Sequence, residues 1–263
     1  RKQQWRPFSK DSRRESGKYL LRTMIRVLRR SFLGRTSSIR PGCQGDPLRC
    51  TRASRISESL REHATMAARL LDSSKTGVLC CDIQERFRKA ILHMDSVIHC
   101  SGWMMKAAAE LKMPIIVTEQ YPKGLGETVG ELQDYVKMSY KFEKTQFSML
   151  TEEVKDCMEK KCSGCDTWII VGIESHVCVQ QTALGLLKEG KAVYVLADAV
   201  SSQTRGDRQI ALDRMRQAGA VVTTTESCIF ELLGDFKHPS AKGLSQKASA
   251  RPHSGLGGPS PTL

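Results

Sequence analysis

Short apolar runs alternate with longer amphipathic stretches through the middle of the chain. The runs are nearly continuous in apolar and β-branched residues, which is typical of strands in a parallel sheet that is buried on both faces. Five runs are clear and a weaker sixth lies around residues 135–142; the clear ones are TGVLCCD, PIIVTEQ, TWIIVGI, AVYVLAD and AVVTTTE. The alternation predicts an α/β fold, namely a three-layer sandwich with a mostly parallel, doubly wound sheet of about six strands.

The two ends of the chain lack this alternation. Residues 1–65 are basic and rich in Arg and Ser, and residues 241–263 are rich in Gly, Ser and Pro, so we expect both ends to be disordered. Residues 66–240 form the predicted domain. The N-terminal segment has two interpretations that the sequence leaves open. It is either an extension upstream of a natural start at Met66, or it holds a mitochondrial transit peptide in the stretch from Met24, which has no acidic residue before position 46.

The net charge of +13 is concentrated in the N-terminal segment. Residues 1–65 hold 17 Lys and Arg against 5 Asp and Glu, which leaves 24 against 23 in the rest of the chain. The predicted domain is therefore close to neutral and lacks the strongly basic surface that is typical of nucleic-acid binding. The charge pattern argues against a nucleic-acid partner for the domain.

The ten cysteines bear on the compartment of the protein. Several of them lie inside apolar runs, as free thiols do in a reducing compartment. No apolar run approaches the roughly 20 residues that a membrane span requires, and the chain shows no apolar signal-peptide core. We therefore expect a cytoplasmic protein without a disulfide framework or a membrane partner, and a mitochondrial or nuclear location stays open.

Polar residues follow the predicted strands at the edge where doubly wound sheets place their active sites. Asp82 and Asp198 close the first and fifth runs, Lys144 follows the weak run, and Cys178 falls in the first turn of the helix after the fourth run. A helix N-terminus and a nearby ammonium favour a reactive thiolate, and a carboxylate can carry the proton. The pattern predicts that Cys178 is a nucleophile, Lys144 its electrostatic partner and Asp82 a general acid and base.

Each of these residues also has a structural interpretation. Cys178 could be a buried packing thiol, Asp82 could cap its helix, and Lys144 could be a solvated loop lysine. His176 lies two residues before the cysteine, a spacing that does not share a helix face, so the sequence argues against a Cys–His pair. Position along the strands alone does not decide between these alternatives.

The motifs that carry these residues resemble a known family. CDIQERF, EKTQFSML and GIESHVCVQQTALGLL, in this order and spacing, are similar to the isochorismatase-like cysteine hydrolase superfamily, with the similarity running from about residue 66 to 239. The resemblance implies an Asp82–Lys144–Cys178 catalytic set in which the cysteine attacks a carbonyl and forms an acyl intermediate that water cleaves. It also implies a non-proline cis peptide between Ile173 and Glu174, which presents backbone N–H groups to a developing oxyanion.

The resemblance leaves the substrate open. Metal-binding members of the superfamily carry histidines after the second strand, whereas this chain has VTEQYPKG there, so we expect no metal and no cofactor. Gln84, Phe87 and Tyr121 are candidate pocket residues. The prediction is a metal-independent cysteine hydrolase that acts on a small amide-like or related carbonyl compound and assembles as a homo-oligomer. The alternative is a catalytically silent protein of the same fold that acts through protein–protein interaction.

Overall fold

The computed structural model describes residues 70–248 of the chain. The predicted extension over residues 1–65, both candidate starts and the tail beyond residue 248 lie outside the described residues. Six strands form one sheet in the order β3-β2-β1-β4-β5-β6, and every pairing between neighbours is parallel. The strands are β1 (Thr76–Cys81), β2 (Ile115–Gln120), β3 (Tyr140–Lys144), β4 (Thr167–Ile173), β5 (Ala192–Ser201) and β6 (Val221–Thr223).

Helices connect the strands and cover both faces of the sheet, so the predicted three-layer α/β class is confirmed. They are α1 (Met94–Glu110), α2 (Pro122–Leu125), α3 (Gln133–Val136), α4 (Glu152–Lys161), α5 (Gln180–Lys188), α6 (Arg205–Gln217), α7 (Thr225–Leu233) and α8 (Ala241–Ala248). Short 3₁₀ turns span Ser73–Lys75, Glu85–Phe87 and Gly130–Leu132, and a π-helical turn over Ser175–Val179 leads into α5. No helix within residues 70–248 has both the length and the apolar character needed to cross a bilayer.

Alternate residues of the central strands face two separate hydrophobic cores. On β1, Val78 and Cys80 point into the core that is shared with α1, α7 and α8, whereas Leu79 and Cys81 point into the core that is shared with α4, α5 and α6. A parallel strand with helices above and below buries its side chains on both faces. This is the physical reason for the nearly continuous apolar runs in the sequence.

The weak sixth run is a strand only in its second half. Residues Gln133–Val136 form the short helix α3, where Val136 is buried, and the strand begins at Tyr140. β3 pairs with β2 alone, at the edge of the sheet, and its residues are mostly exposed or half-buried until Lys144. An edge strand needs fewer apolar residues, which is why its pattern in the sequence is faint.

Helix α8 corrects the predicted end of the domain at residue 240. Ala241 and Leu244 are buried against the core, and the Trp103 indole N–H donates a hydrogen bond of 3.0 Å to the carbonyl oxygen of Leu244. The Gly, Ser and Pro content of the whole tail hides this pair of apolar residues, which are three apart and lie on one helix face. The predicted disorder from residue 241 is therefore wrong for Ala241–Ala248.

Candidate active site

The strand order reverses between β1 and β4, the two central strands of the sheet. In open parallel sheets, the crevice at such a reversal lies outside the carboxyl ends of the strands and is the usual ligand site. Asp82 follows the last residue of β1, and Cys178 lies in the helical turn that follows β4. Lys144 is the last residue of β3, two strands away from β1, so its long side chain extends across β2 to the same crevice.

Lys144 and Asp82 form a buried ion pair at this crevice. Lys144 Nζ lies 2.7 Å from Asp82 Oδ2 and donates a second hydrogen bond of 2.7 Å to Gln120 Oε1. The carbonyl oxygens of Gln146 and Phe147 lie 3.2 and 3.0 Å from the same nitrogen. Hydrogen-bond acceptors thus enclose the Lys144 ammonium. The alternative that Lys144 is a solvated loop lysine does not agree with the structure.

The Asp82 carboxylate is held at both of its oxygens. Thr118 Oγ1 donates a hydrogen bond of 2.8 Å to Oδ1, while Lys144 occupies Oδ2. The Asp82 backbone has a positive φ of 50°. In a regular strand the side chains of Cys81 and Asp82 would point to opposite faces. The positive φ turns the Asp82 side chain toward the Cys81 thiol, so that Cys81 Sγ lies 3.6 Å from Asp82 Oδ2. Both side chains of the ion pair are almost completely buried.

Burial and neighbouring charged groups shift the pKa values of Lys144 and Asp82. Burial disfavours the Lys144 ammonium, but the nearby acidic groups, with Cys81 first and Asp82 next, outweigh it, so the pKa of Lys144 lies above its usual value. Burial raises the pKa of Asp82, and the Lys144 ammonium and the Thr118 hydroxyl offset only part of that rise. Lys144 therefore stays protonated, whereas Asp82 binds a proton more readily than an exposed carboxyl does. A carboxyl group tuned in this direction is suited to proton transfer.

Cys178 lies beside this pair, in the first turn of its helix. Its Sγ lies within 4.8 Å of both a carboxylate oxygen of Asp82 and Sγ of Cys81, and all three side chains are buried. Thr182 Oγ1 donates a hydrogen bond of 2.7 Å to the carbonyl oxygen of Cys178 and accepts one of 2.9 Å from the backbone N–H of Met149. This link fixes the cysteine-bearing turn against the segment that follows β3.

The segment before the cysteine is also fixed. The peptide bond between Ile173 and Glu174 is cis, at the position that the resemblance implies. The Glu174 carbonyl oxygen accepts hydrogen bonds from the backbone N–H groups of Val177 and Val179, at 3.1 and 3.2 Å. Its carboxylate binds the backbone N–H and the side-chain amide of Gln203, at 3.1 and 3.2 Å. The helix start is therefore attached to the loop after β5.

The three candidate pocket residues do not come together. Tyr121 is 55% exposed and lines an open cleft of about 580 Å³ together with Lys144. The Gln84 side chain is buried and bonded to the backbone of Gln120 and Gly126, so it shapes the loop over the crevice. Phe87 packs against the core beneath. Among these candidates, only Tyr121 lines the described cleft.

Two other polar residues near the carboxyl edge of the sheet, Asp198 and His176, make contacts with neighbouring loops and helices. Asp198 lies inside β5 rather than at its end, because the buried strand continues to Ser201. Its carboxylate accepts hydrogen bonds of 2.8 and 2.9 Å from the backbone N–H and hydroxyl of Thr225, at the start of α7. The prediction that Asp198 closes its strand is therefore wrong. His176 Nδ1 lies 3.0 Å from Ser202 Oγ, in the loop beyond β5.

Sequence reasoning missed Cys81, Thr118 and Gln120. Thr118 and Gln120 are two apart on β2, so they project from the same face at its carboxyl end, and this alternation of polar residues was a usable signal. Gln120 is also the register partner of Lys144 in the sheet, which explains their direct contact. Cys81 gave no such signal, because its closeness to Asp82 depends on the left-handed backbone of Asp82.

A parallel sheet of this order, with a buried polar site at its reversal point, defines a doubly wound α/β fold whose site lies where such folds bind their ligands. The family model described as "Isochorismatase domain" matches residues 76–227. The chain belongs to this family.

Three relatives illustrate the match. Isochorismatase domain-containing protein 2 of Xenopus laevis is 46% identical over 167 residues, which are 63% of this chain and 80% of that protein. The structure of the MAR1 ribonuclease from Caenorhabditis elegans is 39% identical, with a TM-score of 0.68, and the match covers 74% of this chain and 100% of that one. The YcaC gene product of Escherichia coli, described as an octameric hydrolase of unknown specificity, is 28% identical, with a TM-score of 0.63 over 69% of this chain and 90% of that one.

Proposed function

We propose that the protein is a metal-independent cysteine hydrolase that acts on a small amide-like or related carbonyl substrate. One observation carries the proposal: a buried carboxylate that is paired with a lysine at 2.7 Å also lies within 4.8 Å of a cysteine Sγ in the first turn of a helix. A nucleophilic thiol needs a group that accepts its proton and a positive charge that favours the thiolate. Asp82 and Lys144 supply these two functions beside Cys178.

The reaction proceeds in two halves. In the first, Cys178 transfers its proton to Asp82 and its sulfur forms a bond with the substrate carbonyl carbon, and the leaving amine then takes the proton from Asp82 as the carbon–nitrogen bond breaks. The backbone N–H groups of Glu174 and Cys178 are the proposed donors to the oxyanion. In the second half, Asp82 accepts a proton from water, which attacks the thioester, and the carbon–sulfur bond breaks as Cys178 regains its proton. Lys144 remains charged throughout.

A screen of small amides and carbamoyl compounds tests this proposal. Wild-type protein should release product from at least one of them, and Cys178→Ala should release none. Cys165→Ala is the matched control, since Cys165 is another buried thiol, one that lies before β4 rather than in the crevice. Equal hydrolysis by wild type and Cys178→Ala would contradict the proposal. No hydrolysis by any of the three proteins across the screen would favour the catalytically silent, protein-binding alternative.

A second candidate is ribonuclease activity, which is favoured by the 39% identity to the MAR1 ribonuclease. The nearly neutral charge of the chain beyond residue 65 weighs against it, because RNA binding relies on positive charge. The same three proteins, incubated with single-stranded RNA, separate the candidates. Cleavage that Cys178→Ala loses and Cys165→Ala keeps would assign RNA as the substrate.

We also propose that the protein self-associates, which the octameric state printed for YcaC supports. Light scattering behind a sizing column measures the mass directly. A mass equal to the 29.3 kDa of one chain at micromolar concentration would contradict self-association.

A further inference from the structure

The crevice holds a second arrangement of side chains, one member of which has no part in the hydrolase proposal. Among residues 70–248, one group of three metal-ligating side chains has all its ligand atoms within 4.8 Å of one another, and it consists of Cys81, Asp82 and Cys178. All three are buried. We propose that this group binds one soft divalent cation of the zinc class and that the bound ion blocks Cys178. Binding rests on the ligand atoms alone, and only its inhibitory effect rests on the proposed function.

The spacing of the ligand atoms fits tetrahedral coordination. Cys81 Sγ lies 3.6 Å from Asp82 Oδ2. A sulfur and an oxygen bound to one tetrahedral zinc ion at about 2.3 and 2.1 Å lie about 3.6 Å apart. Two sulfurs on such an ion lie about 3.8 Å apart. The Sγ atoms of Cys178 and Cys81 lie within 4.8 Å of each other, which is compatible with that spacing. The ion can therefore bind with little movement of the three side chains, and its fourth position remains for water.

The charges also balance. On binding, each thiol releases its proton to solvent, so two thiolates and one carboxylate provide three negative charges. The two positive charges of the ion and the single charge of the Lys144 ammonium neutralise them. Asp82 Oδ2 keeps its hydrogen bond from Lys144, because a carboxylate oxygen has lone pairs for both partners. A buried site with no net charge avoids the large cost of isolated ionic groups.

Thiolate ligands determine which ions compete for the site. Sulfur ligands select zinc and its heavier relative cadmium over magnesium and calcium, which prefer oxygen. Once its lone pair is bound to the ion, Cys178 can no longer attack a carbonyl or an alkylating reagent. The cation therefore occupies the nucleophile and does not activate a water for catalysis.

Cadmium titration of the full chain tests the site directly, since cadmium–thiolate bonds absorb in the ultraviolet. Wild-type protein should bind one ion whose signal depends on both thiols. Cys81→Ser and Cys178→Ser should each weaken this binding by at least about tenfold, because each removes a sulfur ligand. Cys228→Ser is the matched control: Cys228 is buried in α7, in the other hydrophobic core from Cys81 and Cys178, so its loss should leave the signal unchanged.

A second measurement uses wild-type protein alone, so it does not depend on the folding of a variant. Zinc should protect Cys178 from iodoacetamide in peptide-resolved labelling, and removal of the zinc by a chelator should restore the labelling. Absence of cadmium binding to the wild type, or a signal that Cys81→Ser and Cys178→Ser keep as fully as Cys228→Ser does, would overturn the inference. If cadmium binds but the amide screen finds no Cys178-dependent hydrolysis, the site stands and the proposed function fails. Hydrolysis without cadmium binding gives the reverse outcome.

Discussion

Cys178 should be the fastest of the ten cysteines to react with iodoacetamide near pH 7. An ordinary thiol, with a pKa of about 8.5, is only a few per cent ionised there, and the thiolate is the reactive form. On the proposed function Cys178 is the attacking sulfur, and the Lys144 ammonium lies in the same crevice, so this thiol should be alkylated ahead of the others. Peptide-resolved labelling across pH measures the rate of each cysteine, and Lys144→Ala should slow the rate of Cys178 by about tenfold.

Lys141→Ala is the control for this substitution. Lys141 lies on the same strand, but its ammonium pairs with Glu119 at 3.2 Å rather than with Asp82. Its loss should leave the labelling rate of Cys178 unchanged. If Cys178 reacts no faster than Cys157 or Cys165, and neither lysine matters, the protein is better described as a binding scaffold.

The Thr118 hydroxyl should affect the pH at which the acid limb of the pH–rate profile falls. Its hydroxyl donates to Asp82 and lowers the pKa of that carboxyl. In Thr118→Val this effect is lost, so the pKa of Asp82 rises further and the acid limb of kcat/KM should move to higher pH. Thr128→Val is the control, because the Thr128 hydroxyl binds Glu119 instead. The profiles of the three proteins are compared on a substrate from the amide screen, and identical acid limbs would remove Asp82 as the titrating group.

At the scale of single residues, the sequence predicted where the candidate site residues lie, but it predicted fewer of the contacts that they make. Asp82, Lys144 and Cys178 lie at one crevice, as expected, because each is at or just after the end of a strand of a parallel sheet, and such strands end at one edge. The bonds of Asp82 to Thr118 and its closeness to Cys81 were not found. They depend on a positive φ at residue 82, which the identity of an Asp permits but does not require.

The close approach of β1 and β4 depends on Gly172. This residue has a φ of 113°, and a Cβ built on it would overlap the carbonyl oxygen of Cys81 on the neighbouring strand. Gly172→Ala should therefore lower the free energy of unfolding by about 3 kcal/mol, because it combines backbone strain with a backbone clash.

Urea unfolding measures this change, with Gly130→Ala as the control. A Cβ at Gly130 meets no atom within 4 Å, so that substitution should change the free energy of unfolding by less than about 0.5 kcal/mol. Equal effects of the two substitutions would show that the contact between β1 and β4 relaxes at little cost.

The strands and helices could be predicted where burial makes their sequences apolar. The strands other than β3 were clear because they carry apolar runs, four of them buried almost throughout. β3 was faint, since an edge strand exposes its residues. α8 was missed because the two buried residues Ala241 and Leu244 are outweighed by the polar residues around them, and their contact with the α1 core is a tertiary effect.

For the whole molecule, we expect chelators to leave any hydrolase activity intact. The loop after β2 has no histidine ligand, and the ion proposed for the crevice inhibits rather than activates. Incubation with EDTA should give unchanged or higher activity. Loss of activity in EDTA that added zinc restores would contradict both expectations, and EDTA-treated protein that receives magnesium is the control for ionic strength.

A chain that begins at Met66 should fold as stably as the full chain. Both hydrophobic cores are formed by residues between Leu71 and Leu244, within the described part of the chain. Thermal and urea unfolding of the two proteins should give the same transition midpoints. An insoluble product from the shorter chain, with the longer one well behaved, would show that the N-terminal segment belongs to the domain.

The reversal of strand order divides the proposed chemistry between two consecutive stretches of polypeptide. Asp82 and Lys144 come from the stretch that forms β1 to β3, and Cys178 comes from the stretch that begins with β4. A ribosome therefore releases the ion pair well before the thiol, and neither stretch alone holds a complete set. On the proposed function, the activated nucleophile first exists when the second half of the sheet joins the first, so the nascent chain cannot use it to modify itself or its surroundings before then.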